Sequence, residues 1–303
     1  MAEHTGHPSD QADTLRALNP LDPAAASAVV PATRVFSITS GKGGVGKTAV
    51  VANLAVLLSR MGKRVLILDA DLGLANIDVV FGLTPGYNLN HFFSGTKSLA
   101  EILADGPEGI KILPAGSGIQ RFTRLSPEQK MQLLHALDAM NDRFDVVLID
   151  TEAGISENVT YFNTAAQEIL VVTTPDPTAI TDAYALMKLL STQYHEHHFN
   201  LIVNQIKSEE EALDVYRKIN MVANRYLDIS LDYIGSIPHD PQMVAAIRRQ
   251  QTMVQLFPES RTSQAFEALA RTIIQESHAV APKGSIQFFW SRLLELGGKQ
   301  SAP

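Results

Sequence analysis

Residues 40–50 read SGKGGVGKTAV, between a short apolar run, VFSIT at 35–39, and a helix-compatible segment from Thr48 to Met61. Strand, glycine loop, helix is the context in which a G-x-x-x-x-G-K-[ST] pattern cradles phosphate rather than merely turning the chain. Gly41, Gly43, Gly44 and Gly46 let the backbone come close to a ligand, and the N–H groups of the loop from Gly41 through Val45 to Thr48 and Ala49 are expected to face it at a helix N-terminus. Lys47 is placed for the β and γ phosphates of a nucleotide, and the Thr48 hydroxyl for Mg²⁺. A loop of this kind needs one lysine; this one carries a second, Lys42.

Working outward, apolar runs of strand length alternate with longer helical segments, the pattern of an α/β fold with a mainly parallel sheet between two helical layers. Strands are expected at 35–39, 64–69, 110–115, 144–150, 168–174, 199–205 and 231–237, and helices at 48–61, 126–141, 177–194, 208–226, 241–250 and 260–277. The organisation reads as a tail over 1–33, a nucleotide-binding domain over 34–278, and a linker with a terminal helix over 279–303. With 303 residues, 45 % hydrophobic and 19 % charged, the chain can bury one large core. A net charge of −7 argues against a broad basic face, so direct DNA binding is not expected. The absence of cysteine removes disulfides, thiolate nucleophiles and iron–sulfur ligation. No signal peptide and no apolar run long enough to span a bilayer is present, so a cytoplasmic location is expected.

Two further stretches carry chemistry. LILDADLGLANID at 66–78 sets Asp69 and Asp71 two residues apart at a strand end, on one face, pointing into the crevice beyond the sheet. FDVVLIDTEAGI at 144–155 is an apolar strand ending in Asp150, placed to hold a Mg²⁺-bound water, with Gly154 freeing the backbone behind it. HEHH at 195–198 is read as a solvated loop, because no carboxylate or further histidine recurs at zinc-site spacing.

The loop KGGVGKT, with Asn53 behind it, resembles the deviant Walker A signature of the MinD/ParA ATPases. In that family the early lysine reaches the phosphates of a partner subunit across a nucleotide-sandwiched dimer. The resemblance therefore implies an ATP- and Mg²⁺-dependent homodimer in which Lys42 and Lys47 are catalytic, Asp71 polarises the attacking water, and Asp69 and Asp150 lie by the metal with Thr48. It also assigns base contact to Asn204 and to the loop Pro238, His239, Asp240. Relatives usually carry proline or a small residue where this chain has Glu152.

The ends of the chain narrow the branch. Ile286, Phe289, Trp290, Leu293, Leu294 and Leu296 share one helical arc, so this segment fits either a membrane interface or a docking face on its own domain. MinD proteins end in a membrane-targeting helix of this kind, which implies peripheral attachment to the inner face of the cell membrane. Asp10, Gln11, Ala12, Leu15 and Arg16 spell DQAxxLR, which resembles the activator motif of the FlhG (FleN) branch, regulators of flagellar number and placement. That branch implies stimulation of the GTPase FlhF through the N-terminal motif, and contacts with the transcription activator FleQ/FlrA and with switch-complex proteins. MinD-like division-site placement, ParA-like cargo positioning and a scaffold that barely hydrolyses are the competing functions.

Overall fold

In the computed structural model the described residues are 33–71, 76–114 and 143–275, together with 126, 128, 129, 132, 135 and 136. Strand β1 (Arg34–Thr39) is buried on both faces and feeds the glycine loop, after which α1 (Lys47–Arg60) folds back along the sheet. The chain continues through β2 (Val65–Ala70), α2 (Ile77–Phe81), α3 (Leu89–Phe93), α4 (Leu99–Ile102), β3 (Ala104–Asp105) and β4 (Lys111–Pro114). Beyond residue 142 come β5 (Val146–Thr151), α5 (Glu157–Ala165), β6 (Glu168–Thr173), α6 (Pro177–Tyr194), β7 (His198–Ile206) and α7 (Glu209–Tyr226). The last elements are β8 (Ser230–Pro238), α8 (Gln242–Arg248), α9 (Met253–Leu256) and α10 (Arg261–Gln275).

The eight strands make one sheet in the order β3-β4-β2-β5-β1-β6-β7-β8. Every pairing is parallel except the short antiparallel β3–β4 edge. Side chains of β1 alternate between two cores. Phe36 and Ile38 pack with α1 and α10, and Val35 packs on the opposite face with Tyr161 and Phe162 of α5. The outer end of that second face is closed by α6 and α7 over β6 and β7. The result is helix, sheet, helix, with β1 in the interior and its carboxyl end at the crevice between oppositely directed crossovers.

Both sheet edges are blunted. At β8 the register slips between Leu201 and Ile202, so that Ile234 has no partner in the ladder, and Gly235 with φ 145 makes room for Leu269. Glu209 lies over the same strand, accepting hydrogen bonds from Tyr233 Oη and, at 2.6 Å, from Ser236 Oγ. At the other edge β3 is only two residues long.

The seven expected strands are found within a residue or two. Strand β3 was not expected, because two residues carry no periodicity. Four short helices, α2, α3, α4 and α9, also lack enough turns to show a pattern, whereas α5 hides for another reason. Its residues, ENVTYFNTA, are mostly poor helix formers, and the helix is held by the Ser156 cap and by burial of every residue from Val159 to Ala165 rather than by propensity. The helix expected to reach Gln250 stops at Arg248, with Gln250 in a left-handed conformation (φ 55). Of the helix expected over 126–141 residues 126, 128, 129, 132, 135 and 136 are described, and all but Ser126 are helical.

A buried polar clamp fixes α5 to β1. Ser37 Oγ donates to Asn163 Oδ1 at 2.8 Å, while Asn163 Nδ2 donates to Thr39 Oγ1 at 3.1 Å and to Val159 O at 2.7 Å. Asn163 is fully buried. Asn163→Ala strips partners from two buried hydroxyls and should cost about 2 kcal/mol in urea unfolding; a loss below about 0.5 kcal/mol would mean that the clamp adds nothing measurable.

Candidate nucleotide and metal site

The glycine loop is shaped by what crowds it. A Cβ at Gly41 would lie 2.1 Å from the Asp182 carbonyl of α6, and one at Gly46, where φ is 93, would lie 2.4 Å from Asn204 Nδ2. Only glycine fits either position. Directly after Gly46 the helix α1 begins with no side-chain cap, so the N–H groups of its first turn are left for an anion.

Inside the loop Lys47 is 9 % exposed and donates to Ser40 Oγ at 3.0 Å. Burial pulls its pKa down, and the negative charges of Asp150, Asp71 and Glu152 pull it back up. Asp150, at the end of β5, stands opposite Asp69 of β2 in the ladder. It is 1 % exposed and neither of its carboxylate oxygens has a hydrogen-bond partner among the described residues. Burial, then the Asp69 charge, push its pKa to about 7, opposed by the nearby Thr48 hydroxyl and Lys47. Asp69 is pushed to about 6 by burial, against the backbone N–H groups it accepts from. Those bonds come from Asp71 N at 3.2 Å to Oδ1 and from Asn76 N at 3.2 Å and Ile77 N at 3.3 Å to Oδ2. Asp69 thus ties together both ends of the segment that carries Asp71, while Asn76 Nδ2 donates to Asp71 Oδ2 at 3.5 Å.

A buried carboxylate with two unpartnered oxygens beside a hydroxyl fits a hard divalent cation. Among the described residues no group of three or more His, Cys, Asp or Glu is arranged to hold an ion unaided. Mg²⁺ does not require such a group, since it is usually bound through one or two side chains, water and substrate phosphates.

Behind the metal side, Gly154 (φ 102) donates its N–H to Ser40 O at 2.9 Å. Glu152 accepts a hydrogen bond from Ser156, the cap of α5, so its carboxylate has a local partner while its charge still reaches Lys47.

The second loop lysine points elsewhere. Lys42 Nζ lies 3.4 Å from Asp176 Oδ2 and also donates to Thr178 Oγ1, with its side chain 38 % exposed. Asp176 caps α6, and the Thr178 hydroxyl together with the Thr178 and Ala179 N–H groups holds its pKa at about 2.

At the far side, the residue after Asn204 is a bulge. Gln205 has φ 60 and no ladder partner in β8, and the bulge turns Asn204 Nδ2 onto Val45 O at 2.7 Å. The Asn204 amide expected at the base therefore also braces the phosphate loop. Pro238 ends β8, and Asp240 accepts from Gln242 N at 2.9 Å and from Thr262 Oγ1 at 3.0 Å, fixing this loop to α10.

Lys42, Lys47, Thr48, Asp69, Asp71, Asp150 and Asn204 thus converge on the carboxyl ends of the strands, and Pro238 and Asp240 follow the next strand end. Asp10, Gln11, Ala12, Leu15, Arg16 and the helix with Ile286, Phe289, Trp290, Leu293 and Leu294 lie outside the described residues. In HEHH, His197 Nδ1 pairs with Asp228 O at 2.7 Å and Glu196 is buried. Sequence reasoning missed Ser40, Asp176 and Thr178. The dipeptide Asp176-Pro177 did carry a helix-start signal, a capping residue followed by proline. Ser40 gave none beyond its place just before the motif.

A family model described as "ParA: NUBPL iron-transfer P-loop NTPase" matches residues 32–274. The chain is 42 % identical over 262 residues to the antiactivator FleN of Pseudomonas aeruginosa, covering 86 % of this chain and 94 % of that protein. It is 33 % identical over 270 residues to the flagellum site-determining protein YlxH of Helicobacter pylori, covering 88 % and 91 %. The septum site-determining protein MinD of Pyrococcus horikoshii, solved with Mg-ADP, superposes with a TM-score of 0.62 at 28 % identity, over 80 % of this chain and 96 % of that one.

The two raised carboxylates make stability pH-dependent. Without ligand, folded Asp150 keeps its proton to about pH 7 and Asp69 to about pH 6, whereas the unfolded chain releases both near about pH 4. Stability therefore falls as the pH rises through that window. Asp150→Asn removes one of the two titrations, so its urea midpoint should fall less than the wild-type midpoint between about pH 5 and about pH 8; equal falls would place the charge cost elsewhere.

Proposed function

The chain belongs to the ParA/MinD family of P-loop ATPases, and from that premise we propose that it is an ATP-driven dimerisation switch that sets flagellar number and placement. Its likeness to FleN and YlxH supports the flagellar branch. Iron transfer, named in the family description, finds no thiolate here, since the chain has no cysteine.

The observation that carries the proposal is the division between the two loop lysines. Lys47 is buried among Ser40, Asp150, Asp71 and Glu152, so it serves the phosphates of its own subunit's ATP. Lys42 sits at the rim on Asp176 and Thr178, half exposed, where a second subunit can be met. Transition-state charge on the transferred phosphoryl group calls for a positioned cation, and a lysine supplied in trans acts as an arginine finger does. Asp71 orients the attacking water, and the loop N–H groups with Lys47 hold the β and γ phosphates of ATP as ADP departs. Thr48 and Asp150 would hold Mg²⁺, with Asp69 behind them; when bound, the ion neutralises charge between the β and γ phosphates. Base contact falls to Asn204 and the Pro238–Asp240 loop. Hydrolysis is slow because it waits on association, and it returns the dimer to monomers.

Pairing two subunits doubles the anchors offered to a lipid surface, which turns weak attachment through Ile286, Phe289, Trp290, Leu293 and Leu294 into firm attachment at the inner face of the membrane. Asp10, Gln11, Ala12, Leu15 and Arg16 would reach the FlhF GTPase, and FleQ/FlrA and switch-complex proteins would be the further partners.

Light scattering on eluted wild type, Lys42→Gln and Asp71→Ala, each with ATP and with ADP, tests the switch. Expected are an ATP-dependent wild-type dimer, a dimer that persists in Asp71→Ala, and a monomer in Lys42→Gln; monomers throughout would refute it. A peptide of residues 1–20 should raise GTP turnover by FlhF, and no rise at saturating peptide would return the chain to a division-site or cargo-positioning function.

A further inference from the structure

Ser40, fully buried between β1 and the loop, receives contacts from three directions. Its hydroxyl donates to the Lys42 carbonyl at 2.8 Å and accepts from the Lys47 ammonium at 3.0 Å. Its own carbonyl accepts the Gly154 N–H at 2.9 Å. A serine hydroxyl has one proton and two lone pairs. Donating that proton to the Lys42 carbonyl turns the lone pairs away from it, toward Lys47, so each bond orients the other.

We propose that Ser40 is a positioning residue for ATP hydrolysis, its hydroxyl setting the backbone turn at Lys42 and the seat of the Lys47 ammonium, and its carbonyl fastening both to the Gly154 segment. This rests on the ATPase function assigned above to the same site. Ser40 itself touches no reacting atom. It acts through Lys42, whose side chain leaves the loop at the residue whose carbonyl Ser40 holds, and through Lys47. Since Gly154 precedes α5, and α5 is clamped to β1 through Asn163, a shift in that segment reaches the two lysines through this one residue.

Removal of the hydroxyl leaves the loop glycines and their N–H groups in place, so nucleotide binding should survive while the geometry for reaction degrades. For Ser40→Ala we expect KM for ATP within about threefold of wild type, kcat down by roughly 10- to 100-fold, the range that a small misplacement of reacting groups produces, and weaker ATP-dependent pairing. Ser40→Thr keeps the hydroxyl and should recover most of kcat. Ser40→Cys, close in size but a poor hydrogen-bonding group, should behave as the alanine variant does and serves if alanine fails to fold. Wild-type kcat in the alanine or cysteine variant overturns the proposal. So does a folded threonine variant as slow as alanine, or a loss that falls wholly on KM. A wild-type chain that neither binds nor hydrolyses ATP overturns the ATPase assignment and this proposal together, whereas an active wild type with an equally active alanine variant overturns this one alone.

Discussion

A lysine ammonium taken out of water must be surrounded by acceptors and opposite charge, or it loses its proton. Lys47 is in that position, and much of the site follows from the need. Ser40 supplies the acceptor, and Asp150, Asp71 and Glu152 supply negative charge from two strand ends. The same burial makes Asp150 costly, since it lies beside Asp69 and is offset only in part by the nearby Thr48 hydroxyl and Lys47. Lys47 and Asp150 each offset part of the cost of the other's charge. Strain of this kind belongs to a ligand site, where charge completes what the fold leaves unfinished.

The sheet order puts those groups together. Strand β1 lies between β5 and β6, and β2 lies beyond β5, so the glycine loop, Asp150 and Asp69 leave neighbouring strands at one edge. Parallel pairing is the reason that all three emerge at the same end, and helices on both faces keep that end free of other strands. Strand β7 lies on the opposite side of β6 and brings Asn204 back onto the loop through a bulge, closing the crevice on that flank.

Most of the fold and the main line of the site were legible in the sequence because they rest on local signals of sufficient length. Strands buried on both sides read as unbroken apolar runs, and the phosphate loop is a spacing of glycines fixed by sterics. What stayed hidden depends on contacts between distant segments. Ser40 and Gly154 are more than a hundred positions apart, as are Lys42 and Asp176, and no periodicity connects them. The α5 helix was missed because burial overrides its poor propensity. Asp69, read as a neighbour of the metal, also gives both oxygens to backbone N–H groups nearby, a use that its spacing from Asp71 did not predict.

The bulged strand β8 has a consequence for assembly. A flat open edge invites copies to add strand to strand, and such head-to-tail growth has no natural end. Here the unpaired Ile234, the glycine at 235 and the overlying Glu209 deny that edge a regular ladder, and β3 is too short to offer one at the other side. For the dimer proposed above that leaves the crevice face, where a self-complementary joining would stop at two. Such a pair would count to two because neither margin of the sheet offers a place for a third.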